Sequence, residues 1–505
     1  MILLKGGLVF DGSGAEPIPG DVLIDGARIA SVGNGAAPAD CRVVDCTGLA
    51  VAPGFIDLHS HSDLQALQEE RIEKAAQGVT TEVVGNCGFS PFPQGDHPHE
   101  LCEFGGGILG ARDGWGWQSA REYLDAAATA NGNVHVAPLA GHGSLRVAVA
   151  GLRQGPLTAS EYGRMAGLLD DALDAGCVGF STGLMYAPGS SAPHAELRDL
   201  CRITACREKL YATHMRSYSD QLLEAVREQL ELARESGCRL QISHLQAAGR
   251  SNWDLQRRAL DEIEAARESG VDVEFDIYPY QCGSTVLTQW LPQWALDGGA
   301  NALMARLHDT ADRQRIGEEA EGSLSQEWSD VTISGVGSAA NASLIGKTIA
   351  EVAELRGCAP VEAVIDLLLE EHAAVNVISF NQSESNLRQL LTHPLCTVIS
   401  DGFYVNGTPH PRLHGTFPEL LGQVVRDKGW MTLTEAIHKI TGKPAARLQL
   451  KDRGLLRAGF TADVTVFDPD RIRSRATYES PELAPEGIQH LIKNGKFHFE
   501  KRSHS

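Results

Sequence analysis

The chain has 505 residues, enough for a large core and more than one folding unit, and its 43% hydrophobic and 22% charged residues make an ordinary globular composition. A formal net charge of -21 argues against nucleic acid or an anionic membrane as partner, since both need a basic surface. The 11 cysteines are odd in number, scattered and without a C-x-x-C pair, which points to reduced thiols in a cytoplasm, not a disulfide framework.

The opening MILLKGGLVFDG does not read as a signal peptide, because Lys5, Gly6 and Gly7 break its apolar run. No segment of about 18 uninterrupted apolar residues offers a membrane span. Residues 1–53 instead read as short strands with turns, and residues 441–505 have the same texture in GLLRAGFTADVTVFDP and IQHLIKNGKFHFE. Because the two ends look alike, they are expected to pair into one small β-sandwich flanking the middle.

The middle, residues 54–440, alternates. Strand-like runs FIDLHSHSD, VTTEVVGNCG, NVHVAPLAGHG, CVGFSTGLMY, KLYATHMRS, RLQISHLQ, VDVEFDIYPY and LCTVISDG are separated by helical stretches. In SDQLLEAVREQLELARESG, for example, Leu222, Leu223, Val226, Leu230 and Ala233 fall on one face, and Gly237 can close the helix. Eight strands alternating with helices predict a (β/α)8 barrel, an α/β fold. One excursion, about residues 285–370 and followed by a further strand candidate VNVISF, reads as a lid or insert over the barrel mouth.

Polar residues recur at the C-terminal ends of these strands: His59 and His61 on the first, Cys87 on the second, His214 on the fifth, His244 on the sixth and Asp401 on the eighth. Barrel enzymes build their sites at this rim, so residues far apart in sequence converge there. His, Cys and Asp are also the side chains that bind zinc. Each alone has a bland reading: Cys87 as a packing thiol, a strand histidine as a satisfied core residue, Asp401 before Gly402 as a turn aspartate. Their placement at the same strand end favours a shared site. H-x-H then has a mechanical reason, since positions i and i+2 of a strand point the same way. The small neighbours of Cys87 read as room for an ion and its water. His142 is expected to line the pocket at most, while His410, His414, His97 and His99 read as loop residues.

PGFIDLHSHSD resembles the metal-binding opening of the amidohydrolase superfamily. GVTTEVVGNCGFSP, GFSTGLMYAPG, ATHMRSYSD, ISHLQAAG, DIYPYQCGST, SDGFYVNGTPHPRLHGTFPELLG and TGKPAARLQLKDRGLLRAGFTADVTVFDP resemble, in that order, its N-acyl-D-amino-acid deacylase (D-aminoacylase) branch. The fourth strand, GFSTGLMY, offers no lysine where many superfamily members carry a carboxylated one, and Cys87 fits the deacylase variant. The resemblance implies a barrel plus a β-sandwich built from both termini. It also implies one tight zinc held by Cys87, His214 and His244, with His59, His61 and Asp401 forming a second, weaker site that Cys87 could bridge.

The chemistry implied is hydrolysis of the amide of an N-acyl-D-amino acid by zinc-bound hydroxide, with Asp401 as general base and then general acid. Arg412 is the candidate anchor for the α-carboxylate, because a guanidinium fork fits a carboxylate bidentately. Tyr278, Ser284 and Tyr186 match pocket positions of the family, and Arg250 stands where it commonly has lysine. Two departures bear on specificity: Glu419 replaces an arginine usual after GTFP, and Gln281 with Cys282 alters the YPYTAS pattern near the pocket. The enzymatic alternatives are cleavage of a cyclic amide (hydantoin or dihydropyrimidine) or of an isoaspartyl-type dipeptide. A metal-free interaction protein is the alternative from another class. The partners expected are a small-molecule substrate and a second copy of the chain in a homo-oligomer.

Overall fold

Eight short strands, buried along almost their whole length, make the parallel sheet from which the candidate ligands project. They are β1 (Phe55–Asp57), β2 (Val79–Val84), β3 (His135–Gly141), β4 (Gly179–Gly183), β5 (Leu210–His214), β6 (Arg239–Ile242), β7 (Val273–Ile277) and β8 (Cys396–Val398). The computed structural model describes residues 1–33, 38–68, 71–110, 116–130 and 132–500. The strands pair in sequence order from β1 to β8. A parallel bridge between Ser60 and Gly402 draws the ends of β1 and β8 together, with Asp401 N–H donating to the His59 carbonyl at 2.8 Å and His61 N–H to that of Gly402 at 3.0 Å. This is the expected barrel.

Below that seam lies a buried charge network. Lys74 Nζ donates to Asp57 Oδ2 and to Ser400 Oγ, both at 2.7 Å, and lies 3.5 Å from Glu82 Oε1. Asp57 Oδ1 accepts the Ser400 N–H at 3.0 Å. Buried charges persist only when paired in this way, and here the pairing ties β1, β2 and the end of β8 at one register. The helix Leu222–Ser236 shows how the outer layer follows the pattern: Leu222, Leu223, Val226, Leu230 and Ala233 are buried, and Gly237 caps it with φ 72°.

The two termini share one hydrogen-bonded sheet of eight strands, joined where Ala50–Pro53 runs antiparallel to Val464–Phe467. It has its own core, including Leu4, Val22, Ile24, Val464 and Ile492. The long excursion between β7 and β8 carries a three-stranded antiparallel sheet of Cys282–Val286, Val375–Phe380 and Val331–Val336, in that order, over a separate core. That sheet takes in residues on both sides of 285–370, because VNVISF is its central strand. No helix among the described residues is long and apolar enough to cross a membrane.

Candidate metal centre and substrate cavity

The turn that carries Cys87 is shaped by close backbone approach. Gly85 and Gly88 have φ of 77° and 79°. A Cβ on Gly85 would lie 2.2 Å from the Leu139 carbonyl oxygen, and one on Gly88 would lie 2.8 Å from the Gly183 nitrogen. The glycines therefore make room for β3 and β4, not for an ion as the local sequence suggests. Cys87, His244 and Asp401 themselves hold φ of 53°, 35° and 48°. Backbone in this region is costly for side chains of these types and persists where the surrounding structure enforces it, commonly at functional sites.

His59, His61, Cys87, His214, His244 and Asp401 are all buried. The ligand atoms of His59, Cys87 and His244 lie within 4.8 Å of one another, and so do those of His59, His61 and Asp401. Cys87 Sγ is 3.4 Å from His59 Nε2 and 3.6 Å from His244 Nε2, and Asp401 Oδ1 is 3.3 Å from Nε2 of both His59 and His61. The grouping differs from the expected one, because His59 reaches both Cys87 and Asp401 and so joins two sets. His214 lies outside both, with its ring 4.7 Å from that of His244.

His214 nonetheless bears directly on whether a metal fits. Both of its ring nitrogens are buried without a hydrogen-bond partner, as are Nδ1 of His61 and of His244. Leaving such groups unsatisfied costs about 1–3 kcal/mol each, which a bound cation would offset. Burial, aided by the neighbouring His244 ring, holds His214 well below the usual imidazole range, and burial takes His244 down to about 4, so both are in the neutral form a metal needs. Burial pushes the Cys87 thiol up while His59 pulls it down; a cation would favour the thiolate. A thiol, imidazoles and a carboxylate make a zinc-type donor set, and the residues fit the ion.

Asp276, at the end of β7, completes the arrangement. Its Oδ1 accepts the His244 N–H at 2.7 Å and lies 3.6 Å from His59 Nδ1, while its Oδ2 accepts from Gln241 Nε2 at 2.9 Å. It thus holds the His244 main chain in place and sets a negative charge beside the His59 ring, where an outer carboxylate supports a ligating imidazole. The motif DIYPY held the clue, an acid at the same rim as the other candidates.

Asp401 is buried, yet the Arg412 guanidinium and the facing histidines outweigh the burial and hold its carboxyl well below the usual carboxylate range. Arg412 Nη1 is 2.9 Å from Asp401 Oδ2, its Nη2 donates to the Ser284 carbonyl at 3.3 Å, and its guanidinium lies 4.5 Å from the centroid of the Tyr278 ring. His410, expected as a loop residue, supports it: Nδ1 accepts the Arg412 N–H at 3.0 Å and Nε2 donates to the Cys282 carbonyl at 3.0 Å.

A cavity of about 210 Å³ opens onto His61, Cys87, His214, His244 and Asp401. Arg412, Tyr278, Ser284 and Tyr186 line it too, and the Ser284 hydroxyl is buried without a partner. Excursion residues such as Gln289, Trp290 and Leu291 form its outer wall. Arg250 is not part of that lining. It pairs with Asp330 at 3.2 Å and stacks 4.8 Å above Phe380, so the expected second cation is engaged by excursion residues. Gln281, Cys282 and Glu419 are likewise absent from the wall: Gln281 donates to the Gln382 carbonyl at 3.2 Å, and Cys282 sits in the excursion's sheet. His142 is bound to Glu196 at 2.8 Å beside Arg146, and His97 lies 3.1 Å from Glu100, both away from the cavity.

The pattern of the amidohydrolase family matches residues 42–499. The chain is 38% identical over 499 residues to N-acyl-D-glutamate deacylase of Alcaligenes xylosoxydans xylosoxydans, covering 98% of this chain and 92% of that one. It is 33% identical over 497 residues to D-aminoacylase of the same organism, at 98% and 93% coverage. The crystal structure of N-acyl-D-glutamate deacylase from Bordetella bronchiseptica, complexed with zinc and a phosphonate inhibitor that mimics the tetrahedral intermediate, superposes with a TM-score of 0.84 at 36% identity, over 99% of this chain and 96% of that one. Hydantoinase structures of 14–17% identity, with TM-scores of 0.55–0.56, share the fold alone. With a thiol in its ligand cluster and near-full-length similarity to these deacylases, the chain belongs to the amidohydrolase family, on its N-acyl-D-amino-acid deacylase branch.

Proposed function

We propose that the protein hydrolyses the amide bond of N-acyl-D-amino acids, releasing a carboxylate and a free D-amino acid. One juxtaposition carries the reading: a buried arginine and a buried carboxylate, 2.9 Å apart, line the same cavity as the ligand cluster. The relatives named for deacylation of N-acyl-D-glutamate support the substrate class.

Cys87, His59 and His244, with His214 beside them, would hold one zinc, and His59, His61 and Asp401 a second. When bound, zinc supplies Lewis acidity, which makes water acidic near neutral pH and stabilises negative charge on a carbonyl oxygen. Asp401, kept ionised by Arg412, takes a proton from the attacking water as the new C–O bond forms. It then delivers that proton to the amide nitrogen as the C–N bond breaks, because an unprotonated amine is a poor leaving group. Arg412 binds the α-carboxylate, since its Nε has no hydrogen-bond partner within the protein. The Ser284 hydroxyl and Tyr278 add donors beside it, and the Tyr186 ring, 4.9 Å from that of His214, walls the acyl side. All 11 cysteines are free thiols, which suits a reducing compartment, and we place the reaction in the cytoplasm.

The test is a panel of N-acetyl-D-amino acids with the L-enantiomers as controls, given to zinc-loaded protein. Turnover of D-substrates alone is expected; turnover only of hydantoins or dihydropyrimidines would overturn the reading.

A further inference from the structure

A second and larger cavity, about 590 Å³, adjoins the substrate cavity and takes no part in the chemistry above. The two share Ile108, Met185, Tyr186 and Gln289 as a common wall. Tyr186 sits against His214 on one side, and on the other its ring lies 4.9 Å from Phe89, which itself stacks on Phe104 at 4.5 Å. The interior is apolar, with Phe89, Phe104, Leu152, Val286, Leu303 and Val405 around it. Three of its polar members are satisfied elsewhere: Asn376 donates to the Gly107 carbonyl at 3.0 Å, Asn406 to the Val336 carbonyl at 3.0 Å, and Glu103 accepts the Ala300 N–H at 2.7 Å, while Gln289 on the shared wall has its Nε2 buried without a hydrogen-bond partner. The chamber therefore offers a mainly apolar surface, with one open donor on the wall it shares with the substrate cavity.

The sequence shows an independent cost incurred at the same place. The helix Pro98–Leu109 contains three consecutive glycines, Gly105 to Gly107, although glycine weakens a helix relative to alanine. Gly106 and Gly107 both line the chamber. A Cβ on Gly106 would meet nothing within 4 Å, so the space beside it is open, whereas one on Gly107 would come within 3.0 Å of Val286. Gly106 is half-buried and Gly107 exposed, so side chains here would narrow the rim of the chamber.

Resting on the deacylase reading above, we propose that this chamber is the acyl subsite and that the natural substrates carry a medium-length aliphatic or an aromatic N-acyl group. The two halves of the substrate are separated by the lining residues. Arg412, Tyr278 and Ser284 line only the first cavity, which keeps the amino-acid half there. The acyl group, bonded to the same reacting carbonyl, extends past Tyr186. A cavity of this size is in the range that encloses a drug-sized ligand, and an acetyl group would leave it to water.

The test varies the acyl chain while the D-amino acid is held at whichever N-acetyl derivative is turned over fastest. Along the acetyl, butanoyl, hexanoyl and octanoyl series, kcat/KM is expected to rise about fourfold per methylene over the first few carbons. Gly106→Leu should lower kcat/KM for the octanoyl substrate at least tenfold and leave the acetyl substrate unchanged. Val405→Phe, on a different wall, should do the same if the first variant is poorly folded. Hydrolysis of the acetyl substrate with a falling rate along the series would overturn the acyl subsite and leave the deacylase reading standing. No turnover at any chain length would overturn both. A loss in Gly106→Leu that follows the amino-acid side chain and not the acyl length would assign the chamber to the other half of the substrate, against the proposal.

Discussion

Arg412 Nη1 lies 2.9 Å from Asp401 Oδ2, and both side chains are buried. The pair couples substrate anchoring to the ionisation of the candidate base, because one guanidinium faces both the cavity and the carboxylate. In Arg412→Met, the burial that pushes Asp401 up loses its largest opponent. The acid limb of the kcat/KM profile is therefore expected to move to higher pH, with kcat/KM at neutral pH falling by about 10²-fold or more as the charge-assisted contact to substrate is lost. A pH–rate profile checks both parts. An unmoved acid limb would separate Arg412 from the ionisation of Asp401.

Cys87→Ala removes the only thiol of the cluster. Zinc content after dialysis is expected to fall well below the wild-type level, measured by elemental analysis. Zinc retained at the wild-type level would remove Cys87 from the ligand set. Asp401→Ala, by contrast, is expected to keep the zinc shared by Cys87, His59 and His244 and to lose activity.

Asp276 holds the His244 main chain and faces the His59 ring without belonging to either ligand group. In Asp276→Asn the negative charge is lost while size is kept, and metal affinity is expected to weaken by about 10–100-fold. A competition titration with a chromophoric chelator reads the change. Unaltered affinity would leave Asp276 as a barrel-packing residue only.

Glu419 is raised to about 7 by burial, with Lys428 opposing. The folded protein therefore holds a proton there that the unfolded chain has released, and stability falls as pH rises from the ordinary glutamate range through about 7. Glu419→Gln is expected to abolish that slope and to stabilise the protein at pH 8 by about 2 kcal/mol. Urea denaturation at pH 5 and pH 8 measures it, and equal gains at both would contradict the assignment.

Much of this arrangement is legible along the chain. Alternating strand and helix patterns, read with the rule that barrel sites lie at the C-terminal ends of strands, place His59, His61, Cys87, His214, His244 and Asp401 together before any coordinates. H-x-H on one strand is enough to aim two imidazoles the same way. These inferences succeed because parallel pairing fixes which end of every strand faces the site, whatever the side chains do next.

What only the tertiary structure decides is which of the converging groups touch. His59 stands between Cys87 and Asp401, so the ligand atoms divide differently from the motif-based grouping. Arg250 has the right charge and the right place in the sequence, yet its partners are Asp330 and Phe380 of the excursion. The glycines around Cys87 answer to the backbones of β3 and β4, neighbours that the local sequence does not name. Asp276 was visible as a residue but not as a partner of His244. Strand direction and periodicity are properties of the local chain and can be read from it; rotamers, ion pairs and cavities depend on atoms hundreds of residues apart, and they exist only once the barrel has closed.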